Sequence, residues 1–162
     1  MTGEHQTEPL ANLRVADLVA EVASDRVAPG AGAAGAVTLA LAAACAAKAA
    51  AISLKRANGD ATLAHAVRSF QEIARSALDS AQRDSTAFEH FIHERSEAAA
   101  EHLIETDEAQ NALRERLLSG MHHVQRRIVP NVAGDFVAAK ALIHAAHAIT
   151  QRNVAETTAA KD

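Results

Sequence analysis

The stretch that decides the fold is PGAGAAGAVTLALAAACAAKAAAISLK, residues 29–55 of a chain of 162 residues. After a proline and spaced glycines, almost every side chain is small, and Lys48 is the only charge before Lys55. Alanine has the highest helix propensity, and a helix without a polar face is usually buried on all sides. The stretch therefore predicts a long Ala/Gly-rich central helix, entered through a tight turn and closely surrounded by other helices.

The whole composition supports an all-α fold. Alanine supplies 41 of the 162 residues, aromatic residues make up 2%, and the chain has 7 glycines and 3 prolines. Strands depend on aromatic and β-branched residues, which are scarce here. A net charge of −4 without a basic tract argues against nucleic-acid binding. The single cysteine, Cys45, excludes an internal disulfide and is consistent with a reducing cytoplasm.

Hydrophobic periodicity and turn residues predict one helical domain over residues 13–156, between a flexible lead (1–12) and a frayed tail (157–162). The start of the chain lacks the pattern of a signal peptide. The uncharged run over residues 31–47 is shorter than a bilayer span of about 20 residues, so we expect a cytoplasmic protein away from the membrane. The predicted helices cover residues 13–24, with Leu13, Val15, Leu18, Val19 and Val22 on one side, then 33–55, 62–94, 108–127 and 134–153, while residues 95–107 are helical but weakly anchored.

Asp84 lies on the apolar side of the third predicted helix. At about 100° per residue, Phe88 and Phe91 fall within about 40° of Asp84. His90 and His93 fall on the other side, as a solvated pair. Because burial of an unpaired carboxylate is costly, we expect Asp84 to have a partner, a raised pKa or a ligand.

The last predicted helix repeats this pattern. Relative to Asp135, the apolar residues Ala139, Leu142 and Ala146 lie within about 40°, and Asn153 returns to the same angle after five turns. Asp135 and Asn153 are therefore predicted to point at the core. The opposite face is polar and consists of Lys140, His144, His147 and Gln151.

Several of these features have two interpretations. Asp84 and Asp135 either serve a ligand or accept hydrogen bonds from backbone N–H groups, Asp135 as a helix N-cap. The glycine turn over residues 29–35 either presents backbone N–H groups to a polar ligand or permits close helix packing. Lys48 either extends to solvent at a helix rim or is a buried cation paired with one of the acids.

Four motifs together resemble the cyclodeaminase/cyclohydrolase family, which comprises the folate-processing domain of formiminotransferase-cyclodeaminase and the stand-alone methenyltetrahydrofolate cyclohydrolases. They follow the family's order and extend over residues 18–156. The motifs are an amphipathic helix (18–24) followed by Val27-Ala28-Pro29-Gly30-Ala31-Gly32, then Asp84-Ser85-Thr86-Ala87-Phe88, then Asn131-Val132-Ala133-Gly134-Asp135, and finally Asn153-Val154.

The resemblance implies an all-helical homodimer that binds a reduced folate beside the glycine loop, with a tetrahydrofolate derivative as substrate and no metal. The family's reactions are ring closure of formiminotetrahydrofolate with loss of ammonia, or interconversion of methenyl- and formyl-tetrahydrofolate with water. The resemblance makes Asp84 the leading acid/base or cation-stabilising candidate, with Asp135 as the second acid. The residues that would bind the folate or shape its cleft are Pro29, Gly30, Gly32, Lys48, Asn131 and Asn153.

Two other functions remain open from the residues. One is a non-catalytic relative that keeps the helical scaffold as a ligand-binding or partner-binding protein. The other is a metal-binding bundle, since the chain has nine histidines. Their spacing argues against metal, because the His90/His93 and His144/His147 pairs lie on polar faces and His122 and His123 project in different directions.

Overall fold

The computed structural model describes residues 8–160, which form a bundle of α-helices. No strand occurs within this part of the chain, so the predicted all-α class is confirmed. Short 3-10 turns lie at Leu10–Asn12, Gln125–Arg127 and Pro130–Val132. The helices are α1 (Val15–Val22), α2 (Ala31–Arg56), α3 (Ala61–Glu94), α4 (Glu97–Val124) and α5 (Ala133–Ala159).

The Ala-rich helix α2 is the centre of the bundle and packs chiefly against α3 and α5. Small residues allow this close packing. A Cβ atom added to Gly35 of α2 would lie 3.1 Å from the Ile149 side chain of α5. At a second crossing, a Cβ added to Gly120 of α4 would lie 2.7 Å from the ring of Phe70 in α3. Glycine thus permits a close approach at both crossings, and alanines occupy most of the other buried positions of α2.

Larger apolar side chains from the other helices complete the core around α2. Each fully buried side chain of this size contributes about 1.5–3 kcal/mol of hydrophobic free energy. The largest of them are Phe70, Leu63, Ile73, Leu117, Met121 and Ile143, and they pack with Leu39 of α2 itself.

Local signals set the junction between α2 and α3. Asn58 and Gly59 have positive φ angles of 41° and 92°, which makes the predicted turn. Asp60 then caps α3 by accepting hydrogen bonds from the backbone N–H groups of Thr62 (2.9 Å) and Leu63 (3.1 Å).

A second turn separates α3 from α4. Arg95 has a left-handed φ of 48° and ends α3, and the Ser96 hydroxyl caps α4 by accepting from the Ala99 N–H at 3.1 Å. The segment over residues 95–107, predicted to be weakly anchored, is instead the well-packed first half of α4. The reason is that Ala99, Ala100 and Leu103 are spaced to form a buried stripe.

Contacts of the described residues extend into the predicted lead and the predicted tail. In the predicted lead, the Leu10 N–H donates to the Gln82 side chain of α3 at 2.9 Å. In the predicted tail, α5 continues to Ala159 and buries Thr157. Residues 1–7 and 161–162 lie outside the described part of the chain.

Helix α1 is shorter than the predicted span of residues 13–24, and its apolar side is not part of the core. Val15, Val19 and Val22 are all exposed, and no residue of α1 is buried.

By length and composition, α2 and the segment Pro130–Ala159 could each cross a membrane. Half of the qualifying window of α2 is buried inside the bundle, as is also found in core helices of soluble proteins.

Candidate functional site

The first feature of the candidate site is Asp84, which α3 presents to the start of α2. Asp84 is 4% exposed and lies on the same face of α3 as the buried Ile73 and Ala77. This is the burial that the helix geometry predicts. A Cβ atom added to Gly32 would overlap the Asp84 carboxylate, so only glycine at this position lets the carboxylate approach the first turn of α2.

The environment of Asp84 favours partial protonation near neutral pH. Burial is the main cause and raises the pKa of Asp84 to about 6. The backbone N–H of Ala33, at the N-terminus of α2, interacts with the carboxylate and offsets part of this increase. Asp84 is therefore held between a low-dielectric surrounding and one helix N-terminus, and both of its protonation states are accessible.

A cavity of about 200 Å³ opens in front of Asp84, and is called the Asp84 cavity below. One wall is the glycine turn, a second contains two phenylalanine rings, and a third comes from the end of α5. The lining residues are Gly30, Ala31, Gly32, Asp84, Phe88, Phe91, Leu103, Asn153, Glu156 and Thr157.

The sequence did not identify Asp107, a second buried acid. It is 0% exposed on α4, and neither carboxylate oxygen has a hydrogen-bond partner of good geometry among the described residues, although the Asn153 amide lies close to it. Burial, followed by the negative charge of Asp84, raises the pKa of Asp107 to about 7, and the Asn153 amide lowers it in part. Leu103 and Gln110, one helical turn before and after Asp107, are also buried. The helical spacing between the apolar Leu103 and Asp107 is the sequence signal that could have placed Asp107 on a buried face.

Two of the other predicted site residues, Asp135 and Lys48, lie outside the Asp84 cavity. The prediction that Asp135 points at the core is wrong: its carboxylate lies at the start of α5 and pairs with Lys48 at 3.0 Å, and both side chains are partly exposed. Phe136, Ala139 and Ala146 of α5 are buried, whereas Asp135 lies at the rim, where Lys48 reaches it. Lys48 is thus exposed at a helix rim, as in the first interpretation, and paired with one of the acids, as in the second.

Asn131 is exposed in the turn before α5, outside the Asp84 cavity. Pro29 is buried beside the cavity wall and lines a neighbouring recess together with Ala28, to which a cis peptide bond joins it. Of the predicted folate-binding residues, the structure brings together Gly30, Gly32 and Asn153 around Asp84.

The histidines of the described part of the chain do not form a cluster that could hold a metal ion. His90 pairs with Glu94 at 3.0 Å, and His93 is exposed. His147, predicted to be on a solvated face, is half-buried, and its Nδ1 atom has no hydrogen-bond partner among the described residues. Within residues 8–160, no group of three or more His, Cys, Asp or Glu side chains is arranged to hold a metal ion.

Comparisons with known proteins place this geometry in a family. The fold matches a crystal structure of formiminotetrahydrofolate cyclodeaminase from Thermotoga maritima with a TM-score of 0.85 and 23% sequence identity, over 92% of this chain and 80% of that one. No curated protein matches the chain. The formiminotransferase-cyclodeaminase family model matches residues 14–121, a range that includes Gly32, Asp84 and Asp107. The chain therefore belongs to the formiminotransferase-cyclodeaminase family and is a folate-related, cyclodeaminase-like protein.

Proposed function

We propose that this protein is a folate-dependent one-carbon enzyme that acts on a C–N bond of a tetrahydrofolate one-carbon adduct, as a cyclodeaminase or a cyclohydrolase. The observation that carries the proposal is the placement of Asp84. A carboxylate that is 4% exposed lines a cavity beside the glycine turn, within the stretch that matches the family. No other carboxylate that lines this cavity is buried, since Glu156 is exposed at its rim.

Both family reactions pass through a cationic, amidine-like carbon. A carboxylate in an apolar cleft stabilises that cation electrostatically, and in its protonated form donates a proton to the departing nitrogen or oxygen. A pKa of about 6 for Asp84 suits both roles, because a general acid or base works best when its pKa is near the working pH.

The size of the Asp84 cavity limits how a folate is bound. Sites that enclose a drug-sized ligand have volumes of about 300–1,000 Å³, whereas this cavity has about 200 Å³. We therefore place only the ring end with its one-carbon group inside. Phe88 and Phe91 offer apolar contact to the ring, and Asn153 and Glu156 offer polar groups to its edge.

We propose that the chain is a homodimer formed through its helices. Leu41 of α2 is 56% exposed and Val137 of α5 is 65% exposed, although both helices are strongly apolar. Large exposed apolar side chains on such helices favour association with a second copy. A second copy would cover these apolar side chains. We also propose that the protein works in the cytoplasm, as one helical domain over residues 13–156.

A second candidate function is a non-catalytic relative that binds a ligand or a partner protein. The observation that favours it is the exposed apolar side of α1, formed by Val15, Val19 and Val22. A protein of this kind would bind without turnover, so kinetics separates the two candidates.

The test is calorimetric titration with methenyl-, formyl- and formimino-tetrahydrofolate, followed by absorbance assays of methenyl turnover and by ammonia release. We expect binding, and turnover that falls about 100-fold or more in Asp84→Asn. Asp79→Asn is the matched control, since Asp79 is an exposed aspartate on the same helix. Absence of binding at millimolar ligand would refute the folate proposal, and undiminished turnover in Asp84→Asn would refute the role of Asp84. Binding without turnover in the wild type would favour the second candidate.

A further inference from the structure

The end of α5 contributes a buried hydroxyl residue to the Asp84 cavity. Thr157 is 6% exposed and lines this cavity, together with Asn153 and Glu156 from the same helix. Asn153 precedes the other two by four and three positions, which places it between them on one side of α5. The sequence predicts a frayed tail from residue 157, whereas α5 continues to Ala159 and brings Thr157 to the cavity wall.

Thr157 differs from the other buried serines and threonines in its hydrogen bonding. Within residues 8–160, each of the others has a side-chain hydrogen bond inside the protein, and Thr157 has none. One of them, Ser80, accepts from Arg83 at 3.0 Å. The rest donate to a backbone carbonyl of the preceding helical turn, namely Ser53 to Ala49 (2.8 Å), Ser85 to Ala81 (3.1 Å), Thr106 to Leu103 (2.7 Å) and Thr150 to Ala146 (3.1 Å).

The Thr157 hydroxyl is open to the cavity and is not sealed in the core. The fully enclosed side-chain polar atoms without a partner belong to Asp107, Gln110 and His147 in the described part of the chain, and the Thr157 oxygen is not one of them. Its oxygen is therefore accessible, and the space that Thr157 meets is the Asp84 cavity. A hydroxyl group both donates and accepts hydrogen bonds, so the cavity wall offers a polar group that the fold itself does not use.

The position of Thr157 indicates which part of a ligand it meets. Asp84 is on the α3 wall, where we place the one-carbon group, and Thr157 is on the α5 wall with Asn153 and Glu156. Because the cavity of about 200 Å³ encloses only the ring end of a folate, a polar group on this wall faces the ring. The edge of a reduced pterin ring carries N–H donors and a carbonyl acceptor, and either kind of group can pair with a hydroxyl.

We propose that Thr157 is a substrate-binding residue whose hydroxyl forms a hydrogen bond with the polar edge of the reduced pterin ring, away from the one-carbon group at Asp84. This inference rests on the proposed function for the identity of the ligand. A site that supplies a hydrogen bond to a polar edge binds a ring that lacks this edge less tightly. Thr157 thereby favours a pterin over an apolar ring of the same size.

The test compares Thr157→Val, which replaces the hydroxyl with a methyl group, with Thr157→Ser, which keeps the hydroxyl. Calorimetric titration with methenyl-, formyl- and formimino-tetrahydrofolate gives the affinities. We expect Thr157→Val to bind all three about 10-fold more weakly, and Thr157→Ser to stay within about threefold of the wild type. In turnover assays the loss should appear in KM with kcat unchanged, because a ring contact is the same in the ground state and the transition state.

Stability measurements separate this role from a structural one. Since the Thr157 hydroxyl has no partner in the described fold, Thr157→Val should keep or raise the free energy of unfolding in urea. Thr150→Val is the matched control, because Thr150 is also buried on α5 but bonds to Ala146 and does not line the Asp84 cavity. It should leave folate affinity unchanged.

Each other outcome overturns the inference. Folate binding by Thr157→Val as tight as that of the wild type would do so and leave the proposed function standing. A lower kcat at unchanged KM would place the hydroxyl at the one-carbon group and not at the ring. Thr157→Val that unfolds at lower urea, or does not fold, would show that the hydroxyl serves the fold. No folate binding by the wild type itself would refute the proposed function and this inference with it.

Discussion

Asp84→Asn should make the protein more stable at alkaline pH, and the gain should disappear in acid. In the folded chain the pKa of Asp84 is about 6, against 3.8 for an ordinary aspartate. The folded state therefore holds a proton that the unfolded chain has released between about pH 4 and pH 6. As pH rises through this window, the free energy of unfolding of the wild type falls, and it stays lower at higher pH.

The size of the effect follows from the same values. Each pKa unit corresponds to about 1.4 kcal/mol, so the ionised, buried Asp84 costs about 3 kcal/mol at pH 8. Asparagine removes this cost, but its amide N–H₂ group needs an acceptor and loses about 1 kcal/mol if it finds only an imperfect one. We expect Asp84→Asn to be about 2 kcal/mol more stable than the wild type at pH 8.

The assay is urea denaturation of the ligand-free protein at pH 4 and at pH 8, analysed for equal denaturant slopes. Asp79→Asn is the control, since the exposed Asp79 should give the same small difference at both pH values. If Asp84→Asn is no more stable at pH 8 than at pH 4, relative to the wild type, the fold stabilises the Asp84 charge instead of penalising it. That result would refute the argument that burial makes the ionised form of Asp84 costly.

Four further substitutions test the packing and the limits of the site. Gly32→Ala places a methyl group against the Asp84 carboxylate and should weaken folate binding by about 1–3 kcal/mol in calorimetric titration. Gly134→Ala is the control, because a Cβ added there meets nothing within 4 Å. It should leave folate binding unchanged and raise the free energy of unfolding in urea by about 0.5–1 kcal/mol. Equal binding by the two alanine variants would contradict the close approach of Asp84 to α2. Gly120→Ala crowds the ring of Phe70 at 2.7 Å and should lower the thermal midpoint, with a net loss of about 1 kcal/mol after the gain in helix propensity; a higher midpoint would contradict this. Asp135→Asn breaks a partly exposed ion pair with Lys48 and should change the free energy of unfolding by about 1 kcal/mol or less, with folate affinity retained; lost affinity would place Asp135 in the site.

The sequence predicts the parts of the site that depend on one uninterrupted helix. Asp84 is found by angle arithmetic because α3 runs without a break from Ala61 to Glu94, so its apolar face keeps a constant phase. The central helix is found because an almost uncharged Ala-rich stretch has few alternatives to burial.

The errors arise where position along a helix matters as much as its face. The sequence does not identify Asp107, because the predicted helix starts near residue 108 whereas α4 begins at Glu97 and already contains this aspartate. Asp135 is paired at the rim, because it stands near the start of α5, where Lys48 of α2 reaches it. Periodicity gives the direction of a side chain and not how far neighbouring helices extend to cover it.

The contact between Gly32 and Asp84 also depends on the tertiary structure. The glycine turn alone indicates either a ligand site or close packing, and the structure shows a close approach of a carboxylate from α3. Nothing in the spacing of the two segments specifies that approach, because it is set by the crossing of α2 and α3.

The most direct test of the central claim is the NMR signal of the Asp84 side-chain carboxyl carbon during titration with methenyltetrahydrofolate at pH 7. The account predicts a saturable change in its chemical shift as the cationic one-carbon group enters the Asp84 cavity, and no comparable change for the exposed Asp79. Saturable binding that leaves the Asp84 signal unmoved would place the folate elsewhere and contradict the assignment of this cavity.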